Sequence, residues 1–151
     1  MKKVLIFGGS GMIGRHLIRK LTKNNHLVTV VTRNLHKKGA IVKLGGNPGY
    51  IDVIEANIYD EEQLDKLFKN KDVCINLVGI LYEKGEYKFE KLHFKFPELI
   101  TKIVKDKNKI KQFIHFSSLG VKDGTDSEYL QTKFRAENHI RNSLQNYVII
   151  K

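Results

Sequence analysis

The sequence has little cysteine, proline or tryptophan: its 151 residues include one Cys, two Pro and no Trp. The single Cys74 excludes an intrachain disulfide framework and is typical of a reducing compartment. The longest mostly apolar run, residues 73–81, is far shorter than the roughly 20 residues of a membrane-spanning helix. The apolar stretch near Met1 is too short for a signal peptide. These absences argue against a secreted, membrane-spanning or fibrous protein, and we predict a cytoplasmic one.

Acidic residues are also few relative to basic ones. The 27 Lys and Arg outnumber the 16 Asp and Glu and give a formal net charge of +11 at pH 7, which permits contact with nucleic acid or an anionic membrane surface. The basic residues are spread over the whole sequence without a helix-turn-helix, zinc-finger or aromatic RNA-binding motif. The densest group, at the end of a predicted helix, comprises Lys102, Lys105, Lys107, Lys109 and Lys111. We expect a solvated basic surface, no specific nucleic-acid binding and at most peripheral membrane contact.

Short apolar runs alternate with segments of helical periodicity along the chain. The runs at residues 4–7, 27–31, 51–54, 72–78, 113–116 and 147–150 are typical of strands buried on both faces of a parallel sheet. Helices are predicted over about residues 12–24, 60–68, 89–107 and 127–143. Pro97 is expected to break, kink or start the helix over residues 89–107. A loop is predicted before the third strand. The succession predicts an α/β fold, a Rossmann-type doubly wound parallel sheet with helices on both faces. A domain of this length needs neither a metal nor a disulfide to fold, and no metal site is predicted.

A glycine-rich segment lies between the first strand and the first helix. It satisfies the spacings GxxGxxG and GxGxxG, and it reads Gly8-Gly9-Ser10-Gly11-Met12-Ile13-Gly14. Such glycines permit a tight turn and a close approach of the backbone to a pyrophosphate, while the helix N-terminus offers free amide groups. The position after a buried strand and before an amphipathic helix favours a dinucleotide-binding loop over a turn without a ligand.

The end of the second strand bears on which dinucleotide is bound. An NAD site usually has an acidic residue about 20 residues after the glycines, for the adenosine ribose hydroxyls. Here the strand ends in Val31-Thr32-Arg33-Asn34, without a carboxylate. Arg33 is able to pair with a 2′-phosphate, with Arg15 as a second ligand, although Arg33 is alternatively a plain surface residue. We predict that NADP(H) is favoured over NAD(H).

A second group of residues suits proton transfer. Tyr129 and Lys133 are four residues apart and share one helix face, where the ammonium group stabilises a phenolate. Ser117 and Ser118 end the fifth strand at the carboxyl edge of the sheet, where ligands of such sheets bind. The alternative is an accidental, exposed Tyr-Lys pair.

These motifs resemble the extended and atypical short-chain dehydrogenase/reductase superfamily. More narrowly, they are similar to the NADPH-binding accessory subunit of respiratory complex I and its bacterial relatives. The narrower similarity is carried by GGSGMIGRHL (8–17), EANIYD (55–60), INLVGILYE (75–83), HFKFPELI (93–100), FIHFSSLG (113–120) and YLQTKFRAE (129–137).

The resemblance implies roles for individual cofactor-binding residues. The glycine loop, residues 8–14, holds the pyrophosphate, and Arg15 and Arg33 meet the 2′-phosphate. Asn57 stands where the superfamily has an adenine-binding Asp, and its amide is still able to accept from the adenine amino group. Val78 and Gly79 line the channel on the nicotinamide side.

The resemblance also implies catalytic residues. Ser118 aligns with the catalytic serine of the superfamily, whereas Ser117 is the serine shared with the complex I subunit pattern. Tyr129 is the acid/base, and Lys133 also bonds the nicotinamide ribose.

Family members are about twice as long as this chain. Residues 1–151 therefore correspond to one NAD(P)-binding Rossmann domain, the N-terminal part of a longer architecture, without the later strands and the substrate domain. Three interpretations of the function follow. The first is an NADP(H)-holding module with a structural or assembly role on complex I, at the inner face of a bacterial membrane. The second is an NADP(H)-dependent oxidoreductase or epimerase acting on a small molecule, and the third is a non-functional fragment of such an enzyme.

Overall fold

The computed structural model describes residues 1–107 and 110–151, and of residue 107 only the backbone. Strands and helices alternate along the described chain. They are β1 (Lys3–Phe7), α1 (Met12–Lys23), β2 (Leu27–Thr32), α2 (Leu35–Lys43), β3 (Ile51–Glu55), α3 (Glu61–Phe68), β4 (Val73–Asn76), a π-helix (Glu90–Lys95), α4 (Phe96–Lys107), β5 (Gln112–Phe116), α5 (Glu128–Ser143) and β6 (Tyr147–Ile150).

The strands form one parallel sheet in the order β3-β2-β1-β4-β5-β6. The chain winds outward from β1 in one direction and then returns to the other side of β1, so that the strand order reverses between β1 and β4. At this point Phe7, the last residue of β1, pairs with Val31 of β2 and Asn76 of β4. The predicted doubly wound Rossmann sheet is confirmed, and ligands of such sheets bind in the crevice at the reversal.

The sheet separates two apolar cores. One core contains Ile18 of α1 and Val42 of α2, packed on one face of the sheet. The other contains Leu64 of α3, Ile100 of α4 and Ile140 of α5 on the opposite face. Helices therefore cover both faces, as predicted.

Helix α2 is an element that the sequence analysis did not predict, and the predicted loop before the third strand follows it at residues 44–50. Asn34 caps this helix, since its side chain accepts a hydrogen bond from the backbone N–H of Lys37 at 2.8 Å. Only two of its nine residues, Gly39 and Val42, are buried. The sequence therefore carries a weak helical periodicity here, and this helix was not predicted.

Pro97 lies inside a continuous helical segment and does not break it. The π-helix (Glu90–Lys95) runs directly into α4 (Phe96–Lys107), and Phe96 at their junction has helical dihedral angles. The proline removes one backbone donor, and the π-helical turns that depart from the regular i→i−4 pattern lie directly before it. Of the predicted lysine cluster at the end of this helix, Lys109 and the side chain of Lys107 lie outside the described residues.

Candidate functional site

A cavity of about 520 Å³ opens at the carboxyl edge of the sheet, where the strand order reverses. Most of its walls come from four segments: the loop after β1 (Gly8, Ser10, Gly11), the residues after β2 (Arg33, Asn34), the start of α2 (Lys37, Lys38) and the segment after β4 (residues 77–80). Three of these segments follow strands in one sheet, so the topology alone brings them together.

The glycines of the loop have different structural roles. Gly8 has a φ of +80°, and a Cβ added there would lie 2.8 Å from the carbonyl carbon of Leu77. A Cβ on Gly14 would lie 2.4 Å from the carbonyl oxygen of Gly9. At Gly11, by contrast, the nearest atom would be at 3.6 Å, an ordinary contact, and this residue faces the cavity. Gly8 and Gly14 are needed for the fold, whereas Gly11 leaves space for a ligand.

The N-terminus of α1 is suited to an anion. Gly11 is the N-cap residue, no side chain caps the helix, and its first turn holds no acidic residue. The first-turn amide groups therefore offer hydrogen bonds and a partial positive charge to a phosphate group. Met12 and Ile13, which were also predicted to contact the cofactor, are largely exposed and do not line the cavity.

The far end of the cavity is cationic. Arg33 lies there as predicted, with its guanidinium carbon 4.3 Å from the ring centroid of Tyr87. Lys37 and Lys38 of α2 line the same end. The sequence analysis missed these two lysines because it missed their helix. The Asn34 cap, followed by two lysines at the third and fourth positions, is the signal that could have revealed them.

Arg15, the other predicted phosphate ligand, lies elsewhere. It lines a separate depression with His16 and Arg19 of α1 and with Ile41 and Leu44 at the end of α2. The structure does not bring Arg15 together with Arg33.

A carboxylate reaches the cationic end from an unexpected strand. Glu55, the last residue of β3, accepts a hydrogen bond from the backbone N–H of Leu35 at 2.6 Å, at the start of α2. It lines a smaller cavity of about 280 Å³ together with Arg33, Asn57 and Tyr59. A carboxylate was expected only after β2. The structure has one at the end of β3, the neighbouring strand that pairs with β2 in parallel.

Asn57 lies in the smaller cavity, as expected of a residue near the adenine. Its Oδ1 accepts a hydrogen bond from the backbone N–H of Tyr59 at 3.0 Å, which fixes the orientation of the amide. Tyr59 and Tyr87 line the same cavity, and burial raises the pKa of Tyr59. Two aromatic rings beside an oriented amide suit a planar heterocycle.

Tyr129 and Lys133 form the opposite end of the site, on α5. The Nζ of Lys133 lies 5.4 Å from the ring centroid of Tyr129. Lys133 is buried, and this burial lowers its pKa to about 8, while the carboxylate of Glu137 opposes the shift. A Cβ on Gly79 would lie 3.9 Å from the same Nζ. Because Gly79 also lines the main cavity, it connects the phosphate end with the Tyr-Lys pair.

His93 is a buried member of this end that the sequence analysis did not single out. Its Nε2 accepts a hydrogen bond from the backbone N–H of Ile80 at 3.0 Å, and its ring lies 5.1 Å from that of Tyr129. Burial and the charge of Lys133 lower the pKa of His93 to about 4, so the ring is neutral at pH 7. His93 therefore anchors the segment after β4 against α5.

The two serines after β5 differ in what they bind. The Oγ of Ser117 donates to Oε1 of the buried Glu137 at 2.6 Å, and Glu137 also pairs with Arg141 and Lys151. The Oγ of Ser118 is buried and has no hydrogen-bond partner within the described part of the chain. Ser117 is thus committed to a structural ion-pair network, whereas the Ser118 hydroxyl has no partner among the described residues.

A parallel sheet with a glycine loop and an uncapped helix N-terminus at its strand-order reversal defines a dinucleotide-binding Rossmann domain. The family described as NAD(P)H-binding matches residues 8–151, and the chain belongs to this family.

Comparison with curated proteins finds subunits of respiratory complex I. The chain is 27% identical over 146 residues to the 40 kDa subunit of NADH-ubiquinone oxidoreductase of Neurospora crassa, covering 97% of this chain and 38% of that protein. It is 28% identical to the alpha subcomplex subunit 9 of Arabidopsis thaliana, covering 97% of this chain and 36% of that one. The chain therefore spans less than two-fifths of the length of these relatives, and the predicted resemblance is confirmed.

Solved structures share the fold. A putative NAD-dependent epimerase/dehydratase from Bacillus halodurans superposes with a TM-score of 0.83 at 23% identity, covering 100% of this chain and 70% of that one. A wide-type short-chain dehydrogenase/reductase from Veillonella parvula, in complex with NADP, gives a TM-score of 0.74 at 22% identity, covering 98% and 67%. The chain therefore shares the Rossmann-type fold of these two structures.

The described residues offer neither a membrane-spanning helix nor a metal site. No described helix has the length and apolar character needed to cross a bilayer. In the same residues, no group of three or more His, Cys, Asp or Glu side chains is arranged to bind a metal ion.

Proposed function

We propose that residues 1–151 form a single domain that holds NADP(H). The observation that supports this proposal is the cationic end of the main cavity, where Arg33, Lys37 and Lys38 converge beside the start of α2. The residues fit the cofactor: Gly11 leaves space beside the amides of α1 for the pyrophosphate, and the three cations suit the 2′-phosphate. NADP(H) supplies hydride chemistry when bound, and these residues bind and orient it.

Cofactor selectivity is tested by titration calorimetry. We expect NADPH to bind at least about tenfold more tightly than NADH, a difference of about 1.4 kcal/mol, because only NADPH carries the phosphate that the cations neutralise. Arg33→Ala should remove most of this difference while leaving NADH affinity within about twofold. Lys122→Ala, at an exposed residue that does not line the main cavity, is the control. Equal affinities of the unaltered chain for the two nucleotides would contradict the proposal.

The domain holds its cofactor in a structural or assembly role on a complex I-type assembly. The curated relatives support this role, since they are named as complex I subunits. The location that follows is the cytoplasm, with peripheral contact at the inner face of a bacterial membrane. A tagged chain should retain subunits of an NADH dehydrogenase from detergent-solubilised membranes of its host. Recovery without such subunits would argue against the role.

An NADP(H)-dependent oxidoreductase or epimerase acting on a small molecule is the second candidate. It is supported by the free hydroxyl of Ser118 and by the Tyr129–Lys133 pair beside Gly79. In this function Tyr129 transfers a proton at its hydroxyl, Lys133 stabilises the phenolate, and Ser118 orients the substrate oxygen. The remaining alternative is that the chain is a non-functional fragment of such an enzyme.

The second candidate predicts that Tyr129→Phe abolishes turnover. With a panel of aldehydes, ketones and nucleotide sugars, followed by NADPH absorbance or product analysis, the loss should be at least about a hundredfold, the contribution of a positioned acid/base. NADPH affinity should stay within a factor of about two. Tyr82→Phe, at an exposed ring, is the matched control. Turnover that survives Tyr129→Phe excludes this chemistry.

A further inference from the structure

The net charge of the chain is concentrated in its first third. Residues 1–51 contain ten Lys and Arg and no Asp or Glu, whereas residues 52–151 contain 17 Lys and Arg and 16 Asp and Glu. Lysines are indeed spread along the whole sequence, but the acidic residues that balance them are missing from this part. A formal charge of +10 out of +11 therefore belongs to the β1-α1-β2-α2 unit.

The fold displays five of these ten cations on one side of the molecule. Strands β1 and β2 lie inside the sheet, and α1 and α2 pack on the same face of it. The outer surface of these helices carries exposed cations that form no ion pair with a described residue. We call this surface the α1–α2 basic face, and it comprises Arg15, Arg19, Lys20, Lys23 and Lys43 with the apolar residues Ile41 and Leu44.

The helices on the opposite face of the sheet have a different charge pattern. There the cations Lys66 and Lys102 pair with Glu62 and Glu61 at 2.8 and 2.7 Å. The excess positive potential is thus a property of the α1–α2 basic face and not of the whole surface.

Apolar side chains lie exposed among these cations. A depression of about 350 Å³ between α1 and the end of α2 is lined by Arg15, His16, Arg19, Ile41 and Leu44. Leu44 is 86% exposed and Ile41 is 46% exposed. Aliphatic tips surrounded by unpaired cations match the two layers of an anionic bilayer surface, the phosphates outside and the acyl chains beneath.

We infer that the α1–α2 basic face docks the domain on an anionic phospholipid bilayer. The cations contact lipid phosphates, and Leu44 and Ile41 enter the boundary between head groups and acyl chains. Nucleic acid fits this face less well, because α1 and α2 present no Phe, Tyr or Trp for base stacking and an exposed leucine gains nothing at a phosphate backbone. The inference rests on the proposed peripheral membrane contact and names the surface that makes it.

Docking by this face leaves the dinucleotide cavity free. Arg19, Lys23 and Leu44 do not line that cavity, whereas Lys37 and Lys38 do and are therefore not assigned to the face. Membrane binding and cofactor binding are consequently separable by mutation.

Cosedimentation with vesicles tests the inference on the full chain. The vesicles contain phosphatidylcholine alone or with about 30% phosphatidylglycerol, and NADPH affinity is measured on the same preparations without lipid. We expect binding to the anionic vesicles only, weakened by about 0.5 M salt. Arg19→Glu with Lys23→Glu should lower the partition coefficient at least tenfold, and Leu44→Asn about threefold or more, with NADPH affinity and melting temperature unchanged.

The matched control is Lys69→Glu with Lys105→Glu, which makes the same change in net charge on two exposed residues, the C-cap of α3 and a residue of α4. It should reduce vesicle binding less than about twofold. Equal losses in the two double variants, or no enrichment on anionic vesicles, would overturn the inference. The inference would also be overturned if the chain bound duplex DNA in a salt-sensitive way and Arg19→Glu with Lys23→Glu abolished this DNA binding but left vesicle binding intact. If the chain binds anionic vesicles but not NADPH, the cofactor proposal fails and the docking surface stands.

Discussion

Alanine at Gly11 should abolish cofactor binding without unfolding the domain, whereas alanine at Gly14 should unfold it. Gly11 has φ −73° and ψ 176°, a conformation that alanine adopts without strain, and its added Cβ would make only an ordinary contact with the protein. The same methyl group would point into the cavity, where the pyrophosphate must approach the α1 amides. At Gly14 the methyl group would collide with the backbone of Gly9 at 2.4 Å.

The two variants should each have a large effect, Gly11→Ala on NADPH affinity and Gly14→Ala on the free energy of unfolding. Gly11→Ala should weaken NADPH binding by at least about tenfold in calorimetry, with the free energy of unfolding within about 0.5 kcal/mol of the unaltered chain. Gly14→Ala should reduce that free energy by about 3 kcal/mol or more in urea titrations, because overpacking against backbone cannot relax by a rotamer change. A Gly11→Ala variant that binds NADPH normally would contradict the placement of the pyrophosphate.

Removing the buried cation of α5 should stabilise the domain. Lys133→Met retains the length of the side chain and eliminates a charge whose burial lowers its pKa from 10.5 to about 8. Each pKa unit corresponds to about 1.4 kcal/mol, so the variant should gain roughly 3 kcal/mol of unfolding free energy at pH 7. Since Lys133 is predicted to contact the cofactor, the gain should be accompanied by weaker NADPH binding, as is typical of charged residues in functional sites.

The pH dependence of this gain follows from linkage. The lowered folded-state pKa means that, between about pH 8 and 10.5, the unfolded chain binds more protons at this site than the folded one. The unaltered chain therefore recovers stability as the pH rises through this window, and the advantage of Lys133→Met should disappear by its upper end. Urea unfolding at several pH values measures both proteins, with the exposed Lys122→Met as control. A variant less stable than the unaltered chain at pH 7 would contradict this account.

Much of the fold was predictable because the strands are short, continuous apolar runs. Burial on both faces leaves residues such as Val4 to Phe7 without polar positions, and the glycine loop fixes where the first helix begins. Helix α2 was not predictable in the same way. It buries only Gly39 and Val42, so its helical state depends on the Asn34 cap and on packing rather than on amphipathic periodicity.

The site was predictable where one motif specifies it and unpredictable where separate segments meet. The glycine loop and the Tyr129–Lys133 pair are local patterns. Glu55, by contrast, reaches the start of α2 only because β3 pairs with β2, and His93 reaches Ile80 only because the π-helix folds back over the sheet. Arg15 shows the opposite case: it is next to Gly14 in the sequence, but it lies on α1 and lines a different depression from Arg33.

The close approach of Gly8 to Leu77 has a consequence for the order of assembly. Strand β1 pairs with β2 early in the chain, but the wall opposite the glycine loop comes from a segment about 70 residues later, after β4 has joined the sheet. During synthesis or refolding, the first three strands alone lack half of the nucleotide pocket. NADPH should therefore leave the folding rate nearly unchanged and slow unfolding, since it recognises a junction that forms late.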